Sequence, residues 1–160
     1  MNFKSILFIL LIPAFFGCKS KTAHTYSQWI VGKETSLLPD INKTENNVER
    51  FATAGNFDSI AIVSERMERL VDKRLQEIED KPAPDLKEAE NFKKASLRYF
   101  AFLESIYTRY KIFALKKTDE ERDIERKTMI ALMEEKPRVV LDMQEAQQKF
   151  AKANGFRIQQ

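Results

Sequence analysis

The composition of the chain limits the classes of function open to it. It has 160 residues, with 27 Lys and Arg against 24 Asp and Glu and a net charge of +3. A charge balance so close to neutral gives no reason to expect a nucleic-acid partner. A single cysteine excludes an intrachain disulfide, and the four glycines and five prolines leave a composition that favours helices.

The N-terminal residues 1–17 have the pattern of a cleaved signal peptide. Lys4 supplies the positive charge, an apolar run over residues 6–12 follows it, and Pro13 precedes small residues near the predicted cleavage site. The apolar run is too short for a membrane-spanning helix, which needs ~20 apolar residues. The sequence therefore predicts export without a permanent transmembrane helix.

The end of this signal carries a more specific pattern. Residues 14–18, Ala-Phe-Phe-Gly-Cys, resemble the lipobox of bacterial lipoproteins, with Gly17 directly before Cys18. Phenylalanines stand where a leucine and a small residue are usual, and the alternative is an ordinary signal followed by an unmodified cysteine. The resemblance implies that Cys18 becomes the acylated first residue of the mature chain, anchored in the membrane by more than one acyl chain. Lys19, where an aspartate marks inner-membrane retention, implies the outer membrane and leaves the leaflet open.

The mature chain is expected to begin with a tether and to continue as one helical domain. Residues 18–25 are polar and predict a short tether, which leaves residues 26–160 for the domain. The first helical segment, residues 26–54, repeats apolar side chains at intervals of three, four and seven. Pro39 lacks a backbone donor, which predicts a kink or an interruption, and Gly55 suits a left-handed cap.

The second predicted helix covers residues 58–80. It has one apolar stripe, and charged residues cover the rest of its surface. Either Asn56 or Asp58 can accept hydrogen bonds from the first backbone N–H groups, so both are candidate caps. Residues 81–84, Lys-Pro-Ala-Pro, are the clearest break in the chain, because proline ends or kinks a helix.

The third predicted helix, residues 85–117, is the most aromatic part of the chain. Its apolar sector is wider than the ~100° of an ordinary surface helix. A sector of that width predicts contact with at least two neighbouring helices. Asp85 and Glu88 resemble a capping box at its start, with Asp in place of Ser or Thr.

The fourth predicted helix covers residues 119–153. Thr118 and Glu121 form a capping box at its start. Pro137 predicts a kink just before it, and Gly155 ends the helix, after which Phe156 is expected to fold back. Four amphipathic segments with short connections predict an all-α fold, an antiparallel up-down four-helix bundle preceded by the cleaved signal peptide.

The sequence offers no residues with the spacing of a catalytic or metal site. The one histidine, His24, lies in the predicted tether, and no Glu-x-x-His pair is available to hold a metal in a bundle core. Serines lack a histidine partner within the bundle, which leaves open only a serine–lysine pair without a motif. Acidic residues such as Glu65, Glu68 and Glu134 are assigned to charged, solvated faces. We therefore expect no metal, no cofactor and no enzymatic activity.

The aromatic sector of the third helix is the one candidate ligand site. Phe100, Tyr107 and Tyr110 lie within it, and together they could line an apolar pocket between helices. The alternative, which we favour, is that these rings form the core, with their hydroxyl groups reaching its rim.

The overall layout resembles families of uncharacterised helical-bundle lipoproteins of the bacterial envelope. The features that carry the resemblance are the lipobox, an aromatic start at residues 26–31, two long charged helices and the closing residues 148–156. The resemblance implies no activity and transfers no functional residue. The expected function is a membrane-anchored, non-enzymatic module that binds an envelope protein through the charged surface of its second and fourth helices. The alternative is a carrier of a small apolar ligand.

Overall fold

A computed structural model describes the backbone of residues 16–158 and the side chains of residues 19–158. Most of the predicted signal peptide and the side chain of Cys18 lie outside the described residues. Within residues 16–158 the chain forms four helices and no strand, which confirms the all-helical bundle. The helices are α1 (Phe16–Thr53), α2 (Phe57–Asp80), α3 (Ala89–Leu115) and α4 (Asp119–Asn154).

The four helices pack side by side, and each direction follows from the contacts. Tyr99 on α3 donates a hydrogen bond to Glu34 on α1, 65 positions earlier. Tyr110 donates to Glu45, again 65 positions earlier, so α1 and α3 run parallel. Short connections place α2 and α4 antiparallel to them, and α3 packs against both α2 and α4. The broad apolar sector of α3 therefore meets two neighbours, as its width predicts.

Two ends of the bundle are distinguished below. The proximal end is where α1 begins and α4 ends, and the distal end is where α1 ends and α4 begins. At the proximal end three rings pack together: Phe92 and Phe150 are stacked with centroids 5.5 Å apart, and Tyr26 stands edge-on to both. Phe156 covers Phe150 with ring centroids 5.7 Å apart, so the predicted return of the chain after α4 is confirmed.

The predicted helix ends are confirmed where local hydrogen bonding decides them. The side chain of Asn56 accepts a hydrogen bond from the Ser59 backbone and caps α2. Thr118 and Glu121 form the capping box of α4. Gly55 and Gly155 have φ values of +66° and +68°, a left-handed conformation that glycine adopts without a steric cost.

The start of α1 differs from the sequence prediction. The helix begins at Phe16, so residues 19–25 are helical and do not form an extended tether. Ala23 is fully buried, and the Ser20 hydroxyl donates to the Gly155 carbonyl oxygen over 3.1 Å. These contacts lie more than a hundred residues apart in sequence, which is why local polarity alone gave the wrong boundary.

The start of α3 also differs from expectation. α3 begins at Ala89, so the predicted capping box at Asp85 is wrong, and Glu88 has a left-handed φ of +66° without a side-chain cap. Both helices continue through Pro39 and Pro137, so Pro39 does not interrupt α1, and the predicted kinks stay predictions. Both prolines are exposed, so the carbonyl groups that lose their helical donor can bind water.

None of these four helices combines the length with the hydrophobicity that crossing a bilayer requires.

Candidate functional site

The seam between α1 and α4 is closed at the proximal end and open at the distal end. Gln147 on α4 donates to the Ser27 hydroxyl oxygen over 3.0 Å, and the His24 ring packs on Phe156. Among the described residues, each hydrogen bond and ring contact that joins these two helices involves α1 positions 20–27. Distal to Ser27, Val31 and Glu34 of α1 share a groove with Met143 of α4. Further along α4, the next depression is lined by residues of α3 and α4.

The distal half of α4 is held by α3 and by the start of α2. Arg109 on α3 forms an ion pair with Glu125 at 3.1 Å. The guanidinium of Arg122 lies 4.0 Å from the centre of the Phe57 ring. These two contacts hold α4 against α3 and against the start of α2.

An apolar depression lies between α3 and α4 at this level. Its volume is about 390 Å³, and its walls are formed by Ile106 and Tyr110 from α3 and by Met129, Ile130 and Met133 from α4. The volume lies within the ~300–1,000 Å³ of small-molecule sites, which are mostly apolar with a few polar groups. Its lining residues belong to α3 and α4, and α1 borders it through the hydrogen bond between Tyr110 and Glu45. We call this depression the α1–α4 cleft.

The helical register shows that the depression faces α1. Met133 lies two heptads before Gln147, the residue that bonds to Ser27 of α1, so the two side chains share a face of α4. Tyr110, in the opposite wall, bonds to α1 through Glu45. The depression is therefore the distal continuation of the α1–α4 seam, at the level where the two helices have separated.

Large apolar side chains are exposed on both sides of the cleft. Ile130 is 56% exposed and Met133 is 40% exposed on α4. On α1, Leu38 is 46% exposed and lies one helical turn after Glu34 and two turns before Glu45. Single exposed apolar residues are common, but a set that faces one concave surface is typical of a binding site.

Two carboxylates of α1 face this seam, and tyrosines of α3 hold both. The Tyr99 hydroxyl donates to Glu34 over 2.5 Å, and the Tyr110 hydroxyl donates to Glu45 over 3.1 Å. All four side chains are buried or half-buried. Within residues 19–158, neither carboxylate has a lysine or arginine within ion-pair distance.

The tyrosine hydroxyl groups near Glu45 remain protonated donors. Burial raises the pKa of Tyr110 far above its ordinary value, and the negative charge of Glu45 raises it further. Burial and Glu45 raise the pKa of Tyr107 in the same way. The two rings meet edge to face with centroids 6.0 Å apart, so Tyr107 fixes the orientation of Tyr110.

The cationic residues in the walls of the cleft already have partners. Arg109 is paired with Glu125, and Arg126 is paired with Asp123. Glu134, also in the wall, has no ion-pair partner in the part of the chain that the structure describes. The charge left uncompensated around the cleft is therefore negative.

The predicted ligand residues are only partly brought together. Tyr110 lines the cleft and Tyr107 packs behind it, whereas Phe100 is fully buried in the core and is not in the wall of the depression. The proposal that these residues bind a ligand stays a prediction. Cys18 lies at the start of α1, and the side chain that would carry the acyl group is outside the described residues.

The sequence prediction missed the interior carboxylates. It assigned acidic residues to solvated faces, but Glu125 is buried and Glu34, Glu45 and Glu68 are half-buried. For Glu34 and Glu45 a signal was available, because both share a face of α1 with Ser27 and Leu38. No cluster of residues able to hold a metal ion occurs in the described chain.

Comparison with known proteins finds no family model, no curated protein and no solved structure that matches this chain.

Proposed function

We propose that this chain is a lipid-anchored protein of the bacterial envelope that binds a small, largely apolar ligand in the α1–α4 cleft. The observation that carries the proposal is the apolar depression of about 390 Å³ that is lined by α3 and α4. The anchor is supported by the lipobox-like residues before Cys18, and the helical bundle provides a rigid frame around the cleft.

The size of the depression favours a small ligand over a protein partner. Its wall on α4 extends from Arg126 to Glu134, which is about 12 Å at 1.5 Å per residue. A standard protein interface covers about 800 Å² on each partner. A depression of this length instead suits one apolar chain or ring system with a polar end.

The position of the cleft makes the protein's own acyl chains an unsuitable occupant. From Cys18 to Glu45, α1 extends about 40 Å at 1.5 Å per residue. An acyl chain spans about half of the ~30 Å hydrocarbon core, or about 15 Å. The ligand therefore comes from outside the molecule, at a site held well away from the anchoring surface.

Photocrosslinking in cells tests the binding function. The photoreactive residue p-benzoylphenylalanine is placed at Ile130 in the cleft, or at Ile62 on α2 as a matched control. Ile130 is 56% exposed and Ile62 is 67% exposed, so both are accessible but only Ile130 lines the depression. The expected result is an adduct of small-molecule mass at position 130 and none at position 62.

Two other outcomes would contradict this function. Equal labelling at both positions, or no adduct at position 130, would overturn ligand binding in the cleft. An adduct of protein size at position 130 alone would replace the small ligand with an envelope protein. The anchor is tested separately by intact mass and membrane fractionation: Cys18→Ala should lose the acyl mass and leave the outer-membrane fraction.

A further inference from the structure

We infer that the ligand of the α1–α4 cleft is an amphiphile with a cationic ammonium group, which Glu45 and Tyr110 receive while its apolar stem lies along Ile106 and Met133. This inference rests on the proposed function. It adds the charge of the ligand and the residues that recognise that charge.

The first step of the argument is the state of Glu45. Its carboxylate is half-buried and accepts a hydrogen bond from Tyr110 over 3.1 Å, but no cation of the described chain pairs with it. Two other interior carboxylates have such a cation: Glu68 is paired with Lys111, and Glu125 with Arg109. Half-buried carboxylates such as Glu34 and Glu104 also lack a cation in the described chain, but Glu45 is hydrogen-bonded to Tyr110, which lines the depression. Glu45 is therefore the unpaired carboxylate placed to meet a cation bound there.

The second step is the chemistry of the ring beside it. The Tyr110 ring lines the depression, and its hydroxyl group holds Glu45. Cations are attracted to the face of an aromatic ring, and quaternary ammonium groups are commonly recognised by tyrosine side chains. Tyr110 thus offers an aromatic ring face, and the Glu45 carboxylate lies beside its hydroxyl group. An aromatic face next to a carboxylate is suited to bind an ammonium group.

The third step excludes an anionic ligand head. Two arginines lie in the cleft wall, and an acidic head group would need one of them. Arg109 is occupied by the buried Glu125 and Arg126 by Asp123, and Glu134 adds a further negative charge to the wall. A phosphate or carboxylate head would meet arginines whose charge is already neutralised and would add to the negative charge of Glu134 and Glu45, whereas an ammonium group would offset that charge.

Nuclear magnetic resonance of methionine methyl groups tests this inference in the full-length chain reconstituted in lipid nanodiscs. Two probes with the same octyl chain are titrated, octyltrimethylammonium and octyl sulfate. Met129 and Met133 line the cleft, while the buried Met67 on α2 serves as an internal control. The expected result is saturable shifts of the Met129 and Met133 signals with the ammonium probe alone.

Glu45→Gln is the matching variant, because glutamine keeps the shape and can still accept the Tyr110 hydrogen bond. The Glu45→Gln substitution should weaken the binding of octyltrimethylammonium about tenfold. Glu65→Gln, which removes an exposed carboxylate of α2 paired with Arg69, should leave the affinity unchanged. An unchanged Met67 signal in each variant shows that the bundle is folded.

A third probe tests the charge of the ligand on the unaltered protein. In this probe carbon replaces the ammonium nitrogen, so the shape is kept and the charge is lost. It should bind at least tenfold more weakly than octyltrimethylammonium.

The remaining outcomes separate this inference from the proposed function. Equal or tighter binding of octyl sulfate at Met133 would overturn the cationic ligand but keep the cleft as a binding site. No shift at Met129 and Met133 with any of the three probes would overturn both. Shifts of Met67 as large as those of Met133 would place the probe elsewhere in the bundle and would also overturn the inference.

Discussion

Two interior carboxylates in different seams of the bundle, Glu68 and Glu45, have partners of different kinds. Between α2 and α3, Glu68 accepts a hydrogen bond from Thr108 over 2.7 Å and is ion-paired with Lys111. Between α1 and α4, Glu45 is held by a tyrosine hydroxyl and has no cation in the described chain. Matched charge does not extend through the whole first seam, because burial and the negative charges of Asp72 and Glu68 raise the pKa of Glu104 beside it. The comparison teaches that the partner of an interior carboxylate is set by the helix across the seam, since α3 presents Lys111 to Glu68 but the Tyr110 hydroxyl to Glu45.

The largest expected effect separates the closed part of the α1–α4 seam from the open part. Phe150 is fully buried against Phe92 and Tyr26. Phe150→Ala should lower the free energy of unfolding by about 3–5 kcal/mol, because the lost burial is joined by the cost of a cavity. Urea denaturation followed by circular dichroism measures this change in the free energy of unfolding.

Met133→Ala is the matched substitution on the same helix. Met133 is partly exposed in the cleft, so its removal should cost less than ~1 kcal/mol while it weakens octyltrimethylammonium binding. If Met133→Ala lowered the free energy of unfolding as much as Phe150→Ala, the distal part of the seam would be packed core. The distinction between the proximal and distal parts of the seam would then fail.

The second prediction compares the two carboxylates directly. Glu68→Gln leaves the half-buried Lys111 without its ion-pair partner, which should lower the free energy of unfolding by about 1–2 kcal/mol. Glu45→Gln leaves no cation unpaired and should change stability by less than ~0.5 kcal/mol. Parallel urea titrations measure both, and equal losses would remove the distinction between the seams.

The third prediction concerns acid. Burial by itself raises the pKa of Glu68, but hydrogen bonds from Lys111 and Thr108 outweigh it and hold the pKa below its ordinary value of 4.5. In this range the unfolded chain binds more protons than the folded one, so the free energy of unfolding rises with pH. The contribution of Glu68 is complete above about pH 4.5 and is lost as the pH falls through the lowered value.

Unfolding titrations between pH 3 and pH 6 check this sign. Glu68→Gln should have a shallower fall of stability below pH 4.5 than the unaltered protein. Part of the fall should persist, because a hydrogen bond from Lys33 also lowers the pKa of Glu77. An identical slope in the variant would show that the Glu68 ion pair contributes nothing to folding.

The last prediction concerns the proximal core. The Tyr26 hydroxyl is buried without a hydrogen-bond partner in the described chain, and burial together with the charge of Glu90 raises its pKa to about 12. Tyr26→Phe removes a polar group that has no partner, so stability should be unchanged or rise by up to about 1 kcal/mol. A clear loss in thermal unfolding would show that the hydroxyl is satisfied in solution.

The sequence was a good guide where structure depends on neighbours in the chain. The capping box of Thr118 and Glu121 was predictable because both of its hydrogen bonds close within one helical turn. The width of the α3 apolar sector likewise predicted its two neighbours. The start of α1 was missed because Ala23 and Ser20 are ordered by the far end of α4.

The sequence by itself determined that this chain is helical, where most helices end and which face of each is apolar, because those properties follow from periodicity and local hydrogen bonding. Only the tertiary structure decided that α4 closes on α1 at one end and leaves it at the other. It also decided that Glu45 is held by Tyr110 and meets no cation, whereas Glu68 meets Lys111. Pairings of this kind depend on how helices stack in space, and the pattern within any one helix does not contain that information.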